Sequence, residues 1–219
     1  GLIEAEQAGQ HYADLAEGAL AALAPVVAAE FARRHGPAPG VGAAVLGMGS
    51  LGARQMNALS DLDLLVIYDA DGAEASEGAK PLATRAYYAR LTQALLAALT
   101  APTAAGRLYQ VDMRLRPSGR QGPVATSIGA FRDYQMNEAW TWKHLALTRA
   151  RVVAVIPGAA GDAAAPPLSA RIETLRQEIL AQRGQDPRVM PDFQQMRERI
   201  AAVGGGSAGW APRAGRGRL

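Results

Sequence analysis

A chain of 219 residues, 49% of them hydrophobic, is long enough to bury a proper core in one or two domains, which excludes a disordered or fibrous protein. With no cysteine and three scattered histidines, disulfides, thiolate nucleophiles and most zinc cages are excluded, so any catalytic metal is expected to be a hard cation on oxygen ligands. The net charge of +3 is mild, but residues 107–151 hold eight Lys and Arg against Asp112, Asp133 and Glu138, a surplus that suits a phosphate-bearing ligand or acidic partner, or else ordinary solvated helix faces.

Residues 3–34 have the alanine and leucine content of a helix, with Leu15, Leu20, Leu23, Val26 and Val27 as an apolar stripe and Pro25 as a predicted kink. The charge-free stretch from Gly18 to Ala29 holds twelve residues, which is too short to span a bilayer, and nothing resembles a signal peptide. HGPAPG breaks the helix. Val41–Leu46 and Leu62–Tyr68 read as buried strands, residues 80–99 as a helix, and Leu108–Leu115 as a third strand followed by the loop RPSGRQGP. Thr126 or Ser127 is the expected N-cap of a helix, followed by a longer one from about Ala139 to Val155. Gly158–Pro167 reads as a linker, 168–183 and 188–202 as two further helices, and the glycine-rich 204–219 as a flexible tail. The expected organisation is an N-terminal helix over 1–36, a small α/β unit over 37–126 and a helical unit over 127–203. A chain that opens on Gly1 and stops in AGRGRL is expected to be part of a longer polypeptide.

GMGSLGARQMNALSDLD, residues 47–63, admits two kinds of phosphate chemistry. Gly47, Gly49 and Gly52 after a strand, with Asp69 ending the next, match a dinucleotide fingerprint. A parallel crossover, however, needs a helix of at least about ten residues, and only eight separate Gly52 from Asp61. A nucleotidyltransferase instead needs a Gly-Ser pair, about ten residues, then Asp-x-Asp on a strand; Met48, Gly49, Ser50 and Asp61-Leu62-Asp63 supply it. A strand period of two would set Asp61 and Asp63 on one face, where a divalent cation relieves their repulsion. The plain alternative is that Asp61 caps a turn and Asp63 is solvated. In RLYQVDMRLRP, alternation places Val111, Met113 and Leu115 toward the core and Asp112, Arg114 and Arg116 on the other face. Asp112 could be a simple ion pair, or the third acid for a two-metal transfer with Arg114 and Arg116 steadying the phosphates and Ser50 and the amides around Gly49 cradling them.

GMGSLG, SDLDLLVIYD, YQVDMRLRPSGRQGPVATS and NEAWTWKHLALTRARVV together resemble the glutamine synthetase adenylyltransferase family, strongly over residues 40–155. The resemblance implies an α/β (α+β) fold, a mixed-sheet, DNA polymerase beta-like nucleotidyltransferase domain followed by a helical domain. It implies one half of a bifunctional enzyme in which one half attaches AMP from ATP to a tyrosine of glutamine synthetase and the other removes it by phosphorolysis; EAWTWKHLALTRAR is more similar to the C-terminal, adenylylating half. Carried over, it implies Asp61 and Asp63 as Mg²⁺ ligands, Asp112 as the third acid near the acceptor hydroxyl, Gly49 and Ser50 at the ATP phosphates, Arg114 and Arg116 beside them, and Ser118–Gly122 bordering a substrate. It further implies a cytoplasmic enzyme with glutamine synthetase as partner and a nitrogen-regulatory PII-type protein for the full-length chain, and neither nucleic acid nor membrane. Ser50, Gln55 and Lys143 depart from the family pattern, which leads one to expect lysine, an acid and glutamate. The competing functions are the AMP-removing reaction, a non-catalytic dinucleotide-binding module, and DNA polymerisation, for which no clear basic helix is present. Trp140 and Trp142 are expected in core packing and His144 as a surface or core filler, while Arg149 and Arg151 could pair with helix acids or reach the site.

Overall fold

The computed structural model describes residues 3–104, 106–117, 119–160 and 166–203; the tail expected at 204–219 lies outside them. Two strands form the middle of the molecule. β1 (Gly42–Gly47) is buried at every position, and β2 (Leu62–Asp69) at all but Asp63 and Asp69, the continuous apolar pattern of strands covered on both faces. They pair antiparallel, Gly42 opposite Asp69 and Gly47 opposite Leu64. This direction removes the dinucleotide fold, whose first two strands are parallel. The link between them is also too short for a crossover, since its helix α2 (Gly49–Gly52) is a single turn.

Alternate residues of the two strands feed two cores. Ala43, Val45, Leu64, Val66 and Tyr68 pack toward α1 (Ala5–His35) and α3 (Thr84–Leu99), while Ala44, Leu46, Leu65 and Ile67 meet Phe131 of α4 (Ile128–Asn137), Leu147 of α5 (Thr141–Leu147) and Leu168, Ile172, Leu175 and Ile179 of α6 (Leu168–Arg183). The result is three layers, helices on both sides of one mixed sheet. Ser127 is the N-cap of α4, its Oγ accepting from Ala130 N at 3.2 Å. α7 (Val189–Val203) follows α6.

Four expectations are revised. The first concerns α1, one continuous helix that includes Pro25. By length and composition it is long enough and apolar enough to cross a membrane, because a few charges spaced along it do not interrupt an apolar window as the twelve-residue count assumed. Here its Ala13, Ala16, Leu20 and Ala24 stripe is fully buried in the core. The helix expected over 139–155 stops with α5, and the β-branched run RVVAVIP forms β7 (Arg151–Pro157), which pairs antiparallel with β1 and so returns from the helical segment to the sheet. The third strand shrinks to β5 (Val111–Asp112), preceded by a small hairpin of β3 (Pro102–Thr103) and β4 (Gly106–Arg107) and followed by β6 (Ala125–Ser127); β5 and β6 share one edge of β2, both parallel to it. Finally, the chain turns after Asp112, so Leu115 packs against the α4–α6 core instead of joining Val111 and Met113 on the α1–α3 side.

Arg151 joins three elements. Its guanidinium forms a two-point ion pair with Glu17 of α1 and donates to the carbonyls of Leu51 and Gly52 at 3.1 Å each. The hydrogen bonds from Arg151 hold the Glu17 carboxyl below its ordinary value of 4.5, against the opposing effect of burial and with help from the charges of Arg151 and Arg54. Because the folded-state value is depressed, this contribution is present above the ordinary carboxylate range and fades as pH falls through the folded value. Replacing Arg151 by Met is expected to lower unfolding stability by about 2–3 kcal/mol near neutral pH, and by less under acid, in urea titrations.

Candidate active site

β2 begins at Leu62, whose N–H is held by the Gln110 carbonyl at 2.9 Å, and the parallel register that follows sets Asp63 opposite Asp112. In-register neighbours on parallel strands project to the same side of the sheet, so the two carboxylates sit side by side. Burial, then the charge of Asp112, then that of Asp61 raise the Asp63 pKa above its ordinary value of 3.8, with Arg114 opposing. Asp61 lies just outside the strand and is exposed. It borders, with Asp112, Arg114, Arg116, Gln110 and Thr100, an open cavity of about 520 Å³.

Gly49 closes the third side. Its φ of 54° is left-handed, and a Cβ built there would stand 2.2 Å from Asp63 Oδ2, so the backbone passes against the carboxylate at a distance only glycine allows. The preceding amide of Met48 donates to the Asp63 carbonyl at 2.9 Å. Ser50 is half-buried in the second position of α2. Gly52 is equally constrained, since a Cβ there would meet the Arg149 carbonyl at 1.8 Å.

Arg114 is exposed and turned onto Asp112: its Nε donates to Asp112 Oδ2 at 2.6 Å and its amide to Oδ1 at 2.8 Å. Arg116 faces inward, donating to the carbonyls of Met113 (3.1 Å) and Gly122 (3.2 Å), so it pins the following loop while lining the cavity. Ser118 lies outside the described residues. Lys143, the residue without an assigned role in the sequence, is buried with Nζ on the carbonyls of Arg114, Leu115 and Arg116; burial, and secondarily Arg116, push its pKa down. The two tryptophans are not core residues: Trp140 is 76% exposed and Trp142 44% exposed, its ring 4.6 Å from Lys143 Nζ. His144 is a core residue held by the Gln135 carbonyl, and Asp69 is committed to Arg171 of α6 at 2.5 Å.

Among the described residues no group of three or more His, Asp or Glu side chains is arranged to hold a metal ion; Asp63 and Asp112 stand in register, and Asp61 lies at the cavity rim. The donor chemistry nonetheless fits a hard cation. Mg²⁺ is ordinarily held by one or two carboxylates with substrate phosphates completing the shell, and the donor chemistry of Asp63 beside Asp112 is of that kind.

The family model of glutamate-ammonia ligase adenylyltransferase matches residues 1–163. The chain belongs to that family. Relatives named "Bifunctional glutamine synthetase adenylyltransferase/adenylyl-removing enzyme" agree with it: 50% identity over 202 residues with the protein of Brucella suis biovar 1, covering 92% of this chain and 20% of the relative; 48% over 212 residues with that of Xanthobacter autotrophicus, covering 96% and 20%; and 46% over 198 residues with that of Rhizobium meliloti, covering 90% and 19%. The chain thus spans no more than 20% of the length of these relatives.

Two outcomes follow from the geometry. Because its folded-state pKa is raised, Asp63 destabilises the fold progressively as pH rises through the span from 3.8 to that value, and fully above it. Asp63→Asn is therefore expected to raise the melting temperature at neutral pH, with the gain vanishing in acid, by scanning calorimetry. Gly49→Ala is expected to cost about 1–2 kcal/mol of stability through its left-handed backbone, and to displace the Asp63 carboxylate, visible in a crystal structure of the variant.

Proposed function

We propose that this domain moves AMP from MgATP to a tyrosine of glutamine synthetase in the cytoplasm, as the adenylylating half of its enzyme. The observation that carries the proposal is the in-register Asp63–Asp112 pair with Gly49 pressed against it, an acidic notch beside a cavity edged by arginines. The relatives' names supply the substrate protein and the transferred group.

In the reaction, the phenol oxygen attacks the α-phosphorus of ATP, the bond to the β-phosphate bridging oxygen breaks, and pyrophosphate leaves. Asp112, at the cavity edge, accepts the phenol proton. Asp63 and Asp112, with Asp61 at the rim, would hold Mg²⁺, which when bound neutralises the triphosphate and polarises the phosphorus under attack. The close backbone around Gly49 and Ser50 lets phosphate oxygens approach without a side chain in the way. Arg114 can exchange its Asp112 partner for a phosphate oxygen at little electrostatic cost, because both acceptors are anionic. Positioning and charge neutralisation supply most of the rate.

Incubating the native polypeptide that carries this sequence with labelled ATP, Mg²⁺ and glutamine synthetase is expected to label the synthetase on tyrosine. Absence of label from a folded enzyme would overturn the proposal, and phosphate-dependent release of AMP without incorporation would select the adenylyl-removing reaction instead. Asp112→Asn is expected to lower kcat for AMP transfer by about 10²–10⁴-fold, the usual contribution of a general base, as read in initial-rate assays.

A further inference from the structure

Lys143 stands outside every role assigned so far. It sits in the first turn of α5, 5% exposed, and its ammonium reaches back across 27–29 residues to three consecutive carbonyls: Arg114 at 3.2 Å, Leu115 at 3.0 Å and Arg116 at 3.0 Å. An ammonium has three N–H donors and no acceptor. All three are spent on this turn, so none remains for a phosphate or a proton transfer. The turn it gathers is the one that carries Arg114 onto Asp112, directly after β5 ends. α5 is itself fixed from the other side, with the adjacent His144 bound to the Gln135 carbonyl of α4 at 2.8 Å.

We propose that Lys143 is a positioning residue for the AMP-transfer centre: its buried ammonium, clasping the carbonyls of residues 114–116, fixes the turn that sets Arg114 and Asp112 against Asp63. This rests on the nucleotidyltransferase function proposed above. The residue acts through Arg114 and the backbone of the third acid, and touches no substrate.

The test is a double-mutant cycle in the native polypeptide with Lys143→Met and Arg114→Ala, read as kcat/KM for AMP transfer, together with hydrogen exchange of the amides of residues 110–117. Lys143→Met is expected to lower kcat/KM by about 10²-fold, the scale of a small misplacement of reacting groups, and to cost much less once Arg114 is Ala, because coupled residues are not additive. Amide exchange is expected to speed up in 110–117 and stay unchanged in α6. An equal loss in both Arg114 backgrounds, or unchanged exchange in 110–117, overturns the positioning role. Lys143→Gln, which retains a donor, carries the same comparison if the Met variant does not fold. An inactive wild-type enzyme whose 110–117 exchange still responds to Lys143 retains the clasp and removes the transferase function, so the two failures are distinguishable.

Discussion

Two carboxylates held side by side on neighbouring strands oppose folding, and most of the surrounding structure can be understood as what holds them there. Asp63 cannot move away from Asp112 without breaking β2, because Leu62, Leu64 and Val66 on one side and Leu65 and Ile67 on the other are buried in two separate cores. A register slip by a single residue would send every one of these side chains to the wrong face. The apolar layers therefore fix the acid pair by the same packing that makes the sheet, and burial, with the charge of Asp112 second, raises the Asp63 pKa.

Two cations far along the chain secure the loops on either side of the pair. Arg151, at the start of β7, holds the glycine turn through the carbonyls of Leu51 and Gly52, with Glu17 balancing its charge. Lys143 does the same for residues 114–116. Both bind main-chain oxygens, so the loops are fixed in position through their backbone. α5 and β7, the elements that carry them, follow one another directly, so the same short segment braces the loops on either side of the acid pair.

Much of this was legible in the sequence, and what was not has a physical cause. The apolar runs of β1 and β2, the spacing from Gly49 to Asp63 and the lone Asp112 of VDMRLRP pointed to the residues that the fold brings together, because strand periodicity and glycine-rich turns are local signals. The alternation assumed for residues 111–116 failed at Leu115, since the bend after Asp112 is imposed by contacts with α5 and the second core, which no window of eleven residues contains. β7 was hidden by the helical residues Ala139–Leu147 before it; only the β-branched sequence RVVAVI marked the change. Trp140 and Trp142 were expected inside on size alone, yet they flank the first turn of a short helix whose buried positions are taken by Lys143, His144 and Leu147. Arg151 pairs with a helix acid, Glu17, as one of its two expected readings held, but its hold on the Leu51 and Gly52 carbonyls and that of Lys143 on residues 114–116 left no local trace, because every sequence possesses backbone carbonyls.

The need for a buried ammonium follows from the brevity of β5. A two-residue strand contributes few ladder hydrogen bonds, each worth about 1 kcal/mol net, too few to hold an acid against its neighbour's charge. Extending the strand would supply more, but alternation would then hold Leu115 on the α1–α3 side with Val111 and Met113, away from the second core in which it packs. Ending the pairing at Asp112 and bending the chain lets Leu115 reach the second core while the amide and the guanidinium of Arg114 both donate to Asp112. The three carbonyls exposed by the bend then require donors, and hydrogen bonds from a charged group are the strongest available. Lys143 supplies them from a helix already anchored in the second core, so that the short strand, the turn and the buried cation together solve one geometric problem.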